Sequence, residues 1–254
     1  MIHFHINHWF GRFGNNIIAI CNGIHTAQKY KGKLTFMPHP ILREKTFDFT
    51  EGTITELYQE NFYEFNEYFK EILSVEELYQ LIHTYLIDII PKVNINLNDN
   101  DLVIHIRSGD IFLPQYYDFN YTQPPLFYYT NIIDNNQYNN IFLVAEDYRN
   151  PVISELLKYN SNIKPIIGEN NNMTVLNFNN NFIRDLNILL SAKNLVIGTG
   201  SLGYIVSLIS NKLEKLYNCT PPIVSPQWDI SNLKNIIKTD INTTDLTEYY
   251  KNII

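Results

Sequence analysis

The sequence is poor in cysteine and in basic residues, and each scarcity excludes a class of protein. Its two cysteines, Cys21 and Cys219, form no Cys-x-x-Cys spacing, which argues against a zinc site or a disulfide framework and favours a reducing compartment. Lys and Arg number 19 against 26 Asp and Glu, giving a net charge of −7. A broad surface for nucleic acid or anionic membrane is therefore not expected, because such partners require clustered cations.

A secretory leader and a membrane anchor are also not expected. The first residues lack a basic start followed by an apolar run, and nowhere do about 18 apolar residues follow one another. These features favour a cytoplasmic protein. The sequence has four Asn-x-Ser/Thr sequons, which its heavy use of asparagine explains better than glycosylation; they begin at Asn120, Asn172, Asn218 and Asn242.

The composition that is present is that of a folded globular protein. The chain has 254 residues, of which 45% are hydrophobic and 14% aromatic, so it can bury one large core or two small ones. Segments with strand and helix periodicity alternate along it, which predicts an α/β fold with parallel sheets. A polar, Asn-rich stretch before residue 102 predicts a boundary between domains 1–98 and 99–254.

Periodicity predicts the individual elements. In the first domain we expect a strand near residues 2–6, a helix from about Asn16 to Lys31, a strand over Leu34–Met37, and helices over about 61–72 and 75–90. In the second domain we expect strands over Leu102–Ile106, Ile141–Ala145, Ile163–Ile167 and Leu195–Gly198, and helices over Val152–Tyr159, Phe182–Ala192 and Gly203–Ser210.

Parallel sheets bind ligands at the loops that follow their strands, and one such loop contains Arg107. This residue comes directly after the apolar run Leu102–Ile106, and its guanidinium can donate two parallel hydrogen bonds to a phosphate. Gly109 permits a tight turn beside it. The alternative is a structural ion pair between Arg107 and Asp110 at the end of a strand.

Two further loops lie at equivalent positions. Gly198-Thr-Gly-Ser-Leu-Gly203 joins a strand to a helix, and its small residues expose backbone N–H groups at the positive end of the helix dipole. The loop lacks the Gly-Lys-Ser/Thr of a P-loop, and the alternative is a tight connection without a ligand. After the first strand, Gly11-Arg-Phe-Gly-Asn-Asn16 contributes a second cation, Arg12, among glycines that permit close approach of a ligand.

In combination these segments resemble the fucosyltransferase superfamily, which includes α-1,2- and α-1,6-fucosyltransferases and protein O-fucosyltransferases. Gly11-Arg-Phe-Gly-Asn15 is similar to its N-terminal Gly-rich motif, and His105-Ile-Arg-Ser-Gly-Asp110 to its His-x-Arg-Arg-x-Asp motif. Ala145-Glu-Asp147 resembles its Thr/Ser-Asp-Asp loop. Asp185-Leu-Asn-Ile-Leu-Leu followed by Leu195-Val-Ile-Gly-Thr-Gly-Ser201 resembles its C-terminal motif. The segments occur in the family's order over nearly the whole chain.

The resemblance implies a GT-B-like fold, two Rossmann-like domains with parallel sheets facing a cleft, with the acceptor on the side of domain 1–98 and the nucleotide sugar bound by domain 99–254. It implies a metal-independent, inverting glycosyltransferase of polysaccharide biosynthesis that uses GDP-fucose and no cofactor. Catalytic roles fall to Arg107, Arg12 and Asp110, and donor binding to His105, Arg107, Asp147, Asp185, Gly200 and Ser201. The cleft would be lined by Gly11, Gly14 and Asn15. Ser108 departs from the second Arg of the motif.

Several alternatives stay open on the sequence. The chain could be an inactive relative that binds a nucleotide or a glycan, a transferase for another nucleotide sugar, or another nucleotide-using enzyme on a similar fold. The general base is undecided among Asp110, Asp118, Glu146 and Asp147. Asp99-Asn-Asp101 matches a metal-binding Asp-x-Asp pattern but is interpreted as a turn, and the histidines His3, His5 and His8 are interpreted as a polar strand face.

Overall fold

We used a computed structural model of the chain, in which residues 1–93, 95–113, 123–168, 180–219 and 236–239 are described. The chain divides into two compact units. The first unit comprises Met1–Lys92 and Thr174–Ile183, and the second unit comprises Val93–Met173 and Arg184–Ile254. The sequence predicted a single boundary after residue 98. It did not predict that Thr174–Ile183 is grouped with the first unit.

Within residues 1–93 the first unit contains a four-stranded sheet and two α-helices. Its elements are β1 Ile2–Ile6, α1 Phe13–Lys29, β2 Lys33–Phe36, β3 Phe47–Asp48, β4 Glu56–Glu60 and α2 Val75–Leu81, which continues as a π-helical turn over Ile82–Leu86. The strand order is β3-β2-β1-β4. Strand β1 is parallel to β2 and to β4, whereas β3 is antiparallel to β2. The carboxyl ends of β1 and β4 therefore lie at the same edge of the sheet.

Strand β1 shows the alternation that its sequence predicts. Phe4 and Ile6 are fully buried, whereas His3 and His5 lie on the other face and share a hydrogen-bond partner. The Oγ1 atom of Thr35 is 2.7 Å from Nε2 of His3 and 2.8 Å from Nδ1 of His5. The interpretation of these histidines as a satisfied strand face is confirmed.

The helix predicted over residues 61–72 is wrong. Strand β4 ends at Glu60, and turns follow it. The side-chain oxygen of Asn61 accepts hydrogen bonds from the N–H groups of Tyr63 (2.8 Å) and Glu64 (3.2 Å), and Asn66 closes a second turn of the same kind. Such side-chain bonds compete with the helical pattern and hold the backbone in turns. The later helix is confirmed over 75–86, where Ser74 and Glu77 form a capping box.

The second unit contains a six-stranded sheet in which every neighbouring pair is parallel. Its strands are β5 Leu102–Ile106, β6 Ile141–Ala145, β7 Ile163–Ile167, β8 Asn194–Ile197, β9 Lys215–Cys219 and β10 Ile236–Thr239. Its helices are α3 Leu126–Asp134, α4 Pro151–Tyr159, α5 Asn180–Ser191, which begins in the first unit, and α6 Ser201–Ile209. The predicted α/β class with parallel strands is confirmed, while α3, β9 and β10 were not predicted.

The strand order of the second unit creates a switch point. The order is β10-β9-β8-β5-β6-β7, so the chain starts at β5, adds β6 and β7 on one side, and then crosses to β8 on the other. This is the 3-2-1-4-5-6 order of Rossmann-type sheets, in which ligands bind where the winding reverses. The loops that follow β5 and β8 flank that position, and they are the loops of Arg107 and of Gly198–Gly203.

The two faces of β5 differ in composition. Leu102, Ile104 and Ile106 belong to a buried apolar cluster with residues of α3, α4 and β6. His105 points to the opposite face, as the alternation of a strand requires. Among the described residues, no helix is long and apolar enough to span a membrane.

Candidate functional site

The guanidinium of Arg107 lies between two carboxylates at the carboxyl end of β5. Its Nη1 is 3.3 Å from Glu146 Oε2, and its Nη2 bonds Asp110 Oδ1. The Arg107 side chain is 17% exposed, so solvent still reaches it. The structural ion pair with Asp110 is present, and Glu146 is a partner that the sequence did not predict.

The turn after Arg107 depends on Gly109. Its φ of 80° lies in the left-handed region, and a Cβ atom there would come within 2.3 Å of the Glu146 carboxylate. A side chain at this position would therefore be strained and would displace Glu146. The prediction that Gly109 permits a tight turn is confirmed.

Asp147 fastens the loops after β5 and β6 to each other. This carboxylate is buried and accepts hydrogen bonds from the Ser108 hydroxyl, the Gly109 N–H (3.2 Å), the Arg149 N–H (3.0 Å) and Arg149 Nη1. Buried charges are tolerated when hydrogen bonds and a counter-charge compensate them, and here both are present. The observed partners show that Asp147 holds the loops together. The donor-binding role that the resemblance gives to Asp147 stays a prediction.

Asn150 completes this arrangement. Its side-chain oxygen accepts a hydrogen bond from the N–H of Val152 and caps α4, while its Nδ2 donates to the Arg107 carbonyl at 2.9 Å. Its own N–H donates to the Ser108 hydroxyl at 3.0 Å. The sequence carried a signal for it, because Asn followed by Pro151 is the pattern of a helix N-terminus. Arg149 had no such signal.

His105 is buried beside the N-terminus of α6. It is 8% exposed, and its Nδ1 has no hydrogen-bond partner among the described residues. A Cβ built on Gly203, in the first turn of α6, would lie 3.4 Å from this nitrogen and 2.9 Å from Ile197 Cβ. Burial, and secondarily the charge of Arg107, lowers the pKa of His105 to about 4, so the ring is neutral at pH 7.

The first turn of α6 begins at a glycine. Gly200 is the N-cap with φ 141°, and it makes no side-chain cap hydrogen bond to the helix. The first N–H groups of a helix have no intrahelical partner and carry the positive end of its dipole. Ser201 and Gly203 follow in this turn. The predicted helix is confirmed and begins two residues earlier than predicted, and its N-terminus adjoins the switch point.

Asp185 lies on α5 in the second unit. Its Oδ1 accepts hydrogen bonds from Arg184 Nε (2.9 Å) and Nη2 (2.8 Å). Burial raises the pKa of Asp185, and the Arg184 charge opposes that shift. The structure therefore places Asp185 in the same unit as His105 and Arg107, with Arg184 as its partner.

The remaining predicted residues lie in the first unit, at the carboxyl end of β1. Arg12 is the N-cap of α1 and has extended backbone. Gly11 packs against the side chain of Asn15, since a Cβ there would meet Asn15 Nδ2 at 2.2 Å. Gly14 is buried in the first turn of α1. These four residues form one loop and helix start.

The Asp-x-Asp pattern forms a turn, as interpreted. Asp101 is buried and accepts hydrogen bonds from Asn98 N–H and Asn140 Nδ2, each at 2.7 Å. Asp99 pairs with Lys193 at 3.1 Å. The described residues contain no group of three or more His, Cys, Asp or Glu side chains arranged to hold a metal ion.

The carboxylates that the sequence offered as a general base have different surroundings. Asp147 uses its oxygens for the loop contacts above, whereas Asp110 and Glu146 both lie beside the Arg107 guanidinium. Asp118, the fourth candidate, lies outside the described residues, as do the sequons at Asn120, Asn172 and Asn242. Comparison of the chain with protein-family models, with curated proteins and with solved structures gave no match.

Proposed function

We propose that this chain is a glycosyltransferase that binds a nucleotide-diphosphate sugar at the switch point of its second unit. In this proposal it transfers the sugar to a hydroxyl acceptor with inversion and without a metal ion. The observation that carries the proposal is the buried His105 Nδ1, which has no partner among the described residues and lies beside the uncapped start of α6. Buried polar atoms are nearly always paired, so an atom of this kind points to a ligand.

The chemistry of the surrounding groups favours a diphosphate. The N–H groups at Ser201 and beyond attract anions, and Arg107 lies two residues after His105 at the end of the same strand. Phosphate oxygens would take the place of the carboxylate oxygens of Asp110 and Glu146 on the guanidinium. A nucleoside diphosphate gains negative charge as it leaves the sugar, and fixed donors of this kind stabilise that charge.

The donor follows from the resemblance to fucosyltransferases. That resemblance gives His105 and Asp185 nucleoside contacts, Ser201 a diphosphate contact and GDP-fucose as the donor. The GT-B-like pairing of two Rossmann-like domains is part of the same proposal. The parallel sheet and Rossmann strand order of the second unit support it.

A second candidate is a nucleotide-binding protein without transferase activity. The observation that favours it is the position of Ser108, which is buried and bonded to Asp147. This residue replaces the second arginine of the motif that it resembles, so the loop offers one guanidinium where the motif has two. With fewer cations to stabilise the leaving diphosphate, the rate of sugar transfer would fall more than the affinity for the nucleotide.

Melting with nucleotides tests the site. We expect GDP to raise the melting temperature more than UDP or ADP does, with about 2.7 kcal/mol of stabilisation at a hundredfold excess over Kd. If UDP raises the melting temperature and GDP does not, GDP-fucose is refuted as the donor, but the proposal of a glycosyltransferase stands. No shift with any nucleotide would refute the site.

A panel of nucleotide sugars tests the activity. GDP-fucose, GDP-mannose, UDP-glucose and UDP-N-acetylglucosamine are incubated with the full chain, with and without oligosaccharides, and release of nucleoside diphosphate is measured. Release that Arg107→Ala abolishes supports the transferase. Binding of GDP without release from any donor supports the second candidate.

A further inference from the structure

Two stacked aromatic rings lie at the carboxyl edge of the sheet in the first unit. The ring centroids of Phe10 and Tyr63 are 4.9 Å apart, and their planes differ by 20°. Phe10 follows β1 and Tyr63 follows β4, two parallel neighbours whose ends share that edge. Phe10 remains 42% exposed although Tyr63 covers part of it. Phe10 is thus one of the large apolar side chains that the described structure leaves exposed.

The loops that present these rings are held in place by hydrogen bonds. Asn16 Nδ2 donates to the Phe10 carbonyl at 3.0 Å. Asn61 fixes the other loop through the N–H of Tyr63, and its Nδ2 lies 3.3 Å from Nε2 of His8 in the loop after β1. The two loops are thus tied to each other, and these hydrogen bonds hold the backbone that carries the stacked pair.

Backbone strain at Phe62 supports the same interpretation. This residue has φ 59°, a conformation that is rare for a bulky side chain, and its ring is fully buried. Such a backbone costs on the order of 1–3 kcal/mol and persists where the surrounding structure requires it, often at ligand sites. Here the buried Phe62 anchors the turn that places Tyr63 against Phe10.

The charge around the pair selects among ligands that stack on aromatic rings. Glu64 and Glu67 are exposed on the segment that carries Tyr63, and the whole chain has a net charge of −7. Arg12, two residues after Phe10, and the exposed Lys70 offset these two carboxylates, so the surroundings hold no excess of the cations that a nucleic-acid strand requires. A neutral sugar ring needs no such cations. Its face of C–H groups suits the electron-rich face of an aromatic ring, and its hydroxyls suit polar neighbours such as His8.

We propose that Phe10 and Tyr63 form a subsite of the first unit that binds a neutral sugar ring of an oligosaccharide acceptor by stacking. The role of this sugar as an acceptor rests on the proposed transferase function, whereas its binding does not. The subsite involves only residues of the first unit. Phe10 provides the exposed stacking surface, Tyr63 supports it, and the hydrogen bonds of Asn16 and Asn61 fix the two loops.

Binding of neutral oligosaccharides to the full chain tests the subsite. The probes are cellotetraose, maltotetraose, chitotetraose and N-acetyllactosamine, measured by saturation-transfer NMR and calorimetry without nucleotide. We expect at least one probe to bind, with about tenfold loss of affinity, roughly 1.4 kcal/mol, in Phe10→Ala and Tyr63→Ala. Phe10→Trp should retain binding because it keeps an aromatic face. Tyr159→Ala is the control, since Tyr159 is an exposed aromatic residue of the second unit.

Three results would overturn the subsite: no probe binds the wild-type chain, Phe10→Ala binds as well as wild type, or a ten-residue oligothymidylate binds through Phe10 in preference to the sugars. Melting temperatures of the variants identify any that fail to fold, and Phe10→Leu then replaces Phe10→Ala. GDP melting shifts are measured on the same proteins. Sugar binding without a GDP shift would support the subsite and refute the donor site, so the two proposals fail separately.

Discussion

The hydroxyl of Ser108 donates a hydrogen bond to the buried carboxylate of Asp147, and this contact joins the loop after β5 to the loop after β6. Ser108 is 1% exposed, so its side chain points into the loops and away from solvent. In the His-x-Arg-Arg-x-Asp motif that this segment resembles, the same position is an arginine. The serine is therefore an architectural residue here, and in the proposed function phosphate binding by this loop would depend on Arg107.

Substitution of Ser108 should destabilise the fold, by a moderate amount for alanine and by more for a large charged side chain. We expect Ser108→Ala to lower the free energy of unfolding by about 1–2 kcal/mol. The Asn150 N–H would lose its acceptor, and the Asp147 carboxylate would lose one of its donors. Ser108→Arg should cost about 3 kcal/mol or more, because a buried position must accept a larger charged group. Urea unfolding of each variant measures the difference.

Ser154→Arg is the matched control for this prediction. Ser154 is exposed on α4, where the added side chain reaches solvent, so we expect a change within about 0.5 kcal/mol. If Ser108→Arg were as stable as this control, position 108 would tolerate the arginine of the motif. The assignment of Ser108 to the architecture of the loops would then be wrong.

The local sequence pattern predicted the helices and strands whose apolar residues match their burial in the fold. Leu102–Ile106 and Ile141–Ala145 were predicted because a strand buried on both faces of a parallel sheet is a continuous apolar run. The helix α3 was missed because it is rich in aromatic and β-branched residues, which are weak helix formers. Residues 61–72 were misassigned because Asn61 and Asn66 bind their own backbone, and spacing alone does not show that competition.

Within the candidate site, residues with a local sequence signal could be predicted, whereas contacts between distant segments could not. Arg107 could be found because it directly follows a strand, and ligand loops follow strands in parallel sheets. Its contact with Glu146 could not, because 39 residues separate the pair and they meet only through the alignment of β5 with β6. The Nδ1 of His105, which has no partner among the described residues, likewise depends on how closely α6 approaches β5 at Gly203, and no local pattern specifies that approach.

His105 should make stability depend on pH in the acidic range. Its pKa is lowered from the usual 6.5 to about 4, so the unfolded chain takes up a proton at a pH where the folded chain does not. The stabilisation is fully present above about pH 6.5 and is lost as pH falls toward 4, amounting to about 2 kcal/mol between pH 8 and pH 5.

The variant His105→Gln isolates this contribution in urea unfolding at several pH values. Burial also lowers the pKa of His39 to about 4 and lowers the pKa of His3, so the wild-type chain should lose stability through all three histidines. We expect the His105 variant to lose about 2 kcal/mol less than the wild-type chain between pH 8 and pH 5, because only His39 and His3 remain. An unchanged slope would show that His105 is solvated or protonated in the folded chain.

Chelation of divalent ions should leave sugar transfer within about twofold of its untreated rate. Fixed donors, Arg107 and the first turn of α6, would stabilise the leaving diphosphate in place of a metal ion. The carboxylates of Asp99 and Asp101 are engaged with Lys193 and with Asn98 and Asn140. The measurement is the rate with EDTA, then with added Mg²⁺ or Mn²⁺. Loss on chelation and recovery with either ion would return Asp99 and Asp101 to the site.

Arg107 is the residue whose replacement should reduce transfer most. Its planar fork can hold two phosphate oxygens, whereas the ammonium of a lysine is a single compact charge. We therefore expect Arg107→Lys to fail almost as badly as Arg107→Ala. Loss of one charge-stabilising donor in a water-poor site costs on the order of 10²–10³ in rate, about 3–4 kcal/mol.

The ion pairs of Arg107 make folding the necessary second measurement. With a side chain 17% exposed between Asp110 and Glu146, the residue could serve stability, phosphate binding or both. Transfer rate, GDP affinity and melting temperature are measured for both variants, with Arg43→Lys as a control at an exposed arginine of the first unit. A fall in rate and GDP affinity with a nearly unchanged melting temperature assigns Arg107 to the phosphates. A collapse of the melting temperature would assign it to the ion pairs, and unchanged turnover would remove it from the site.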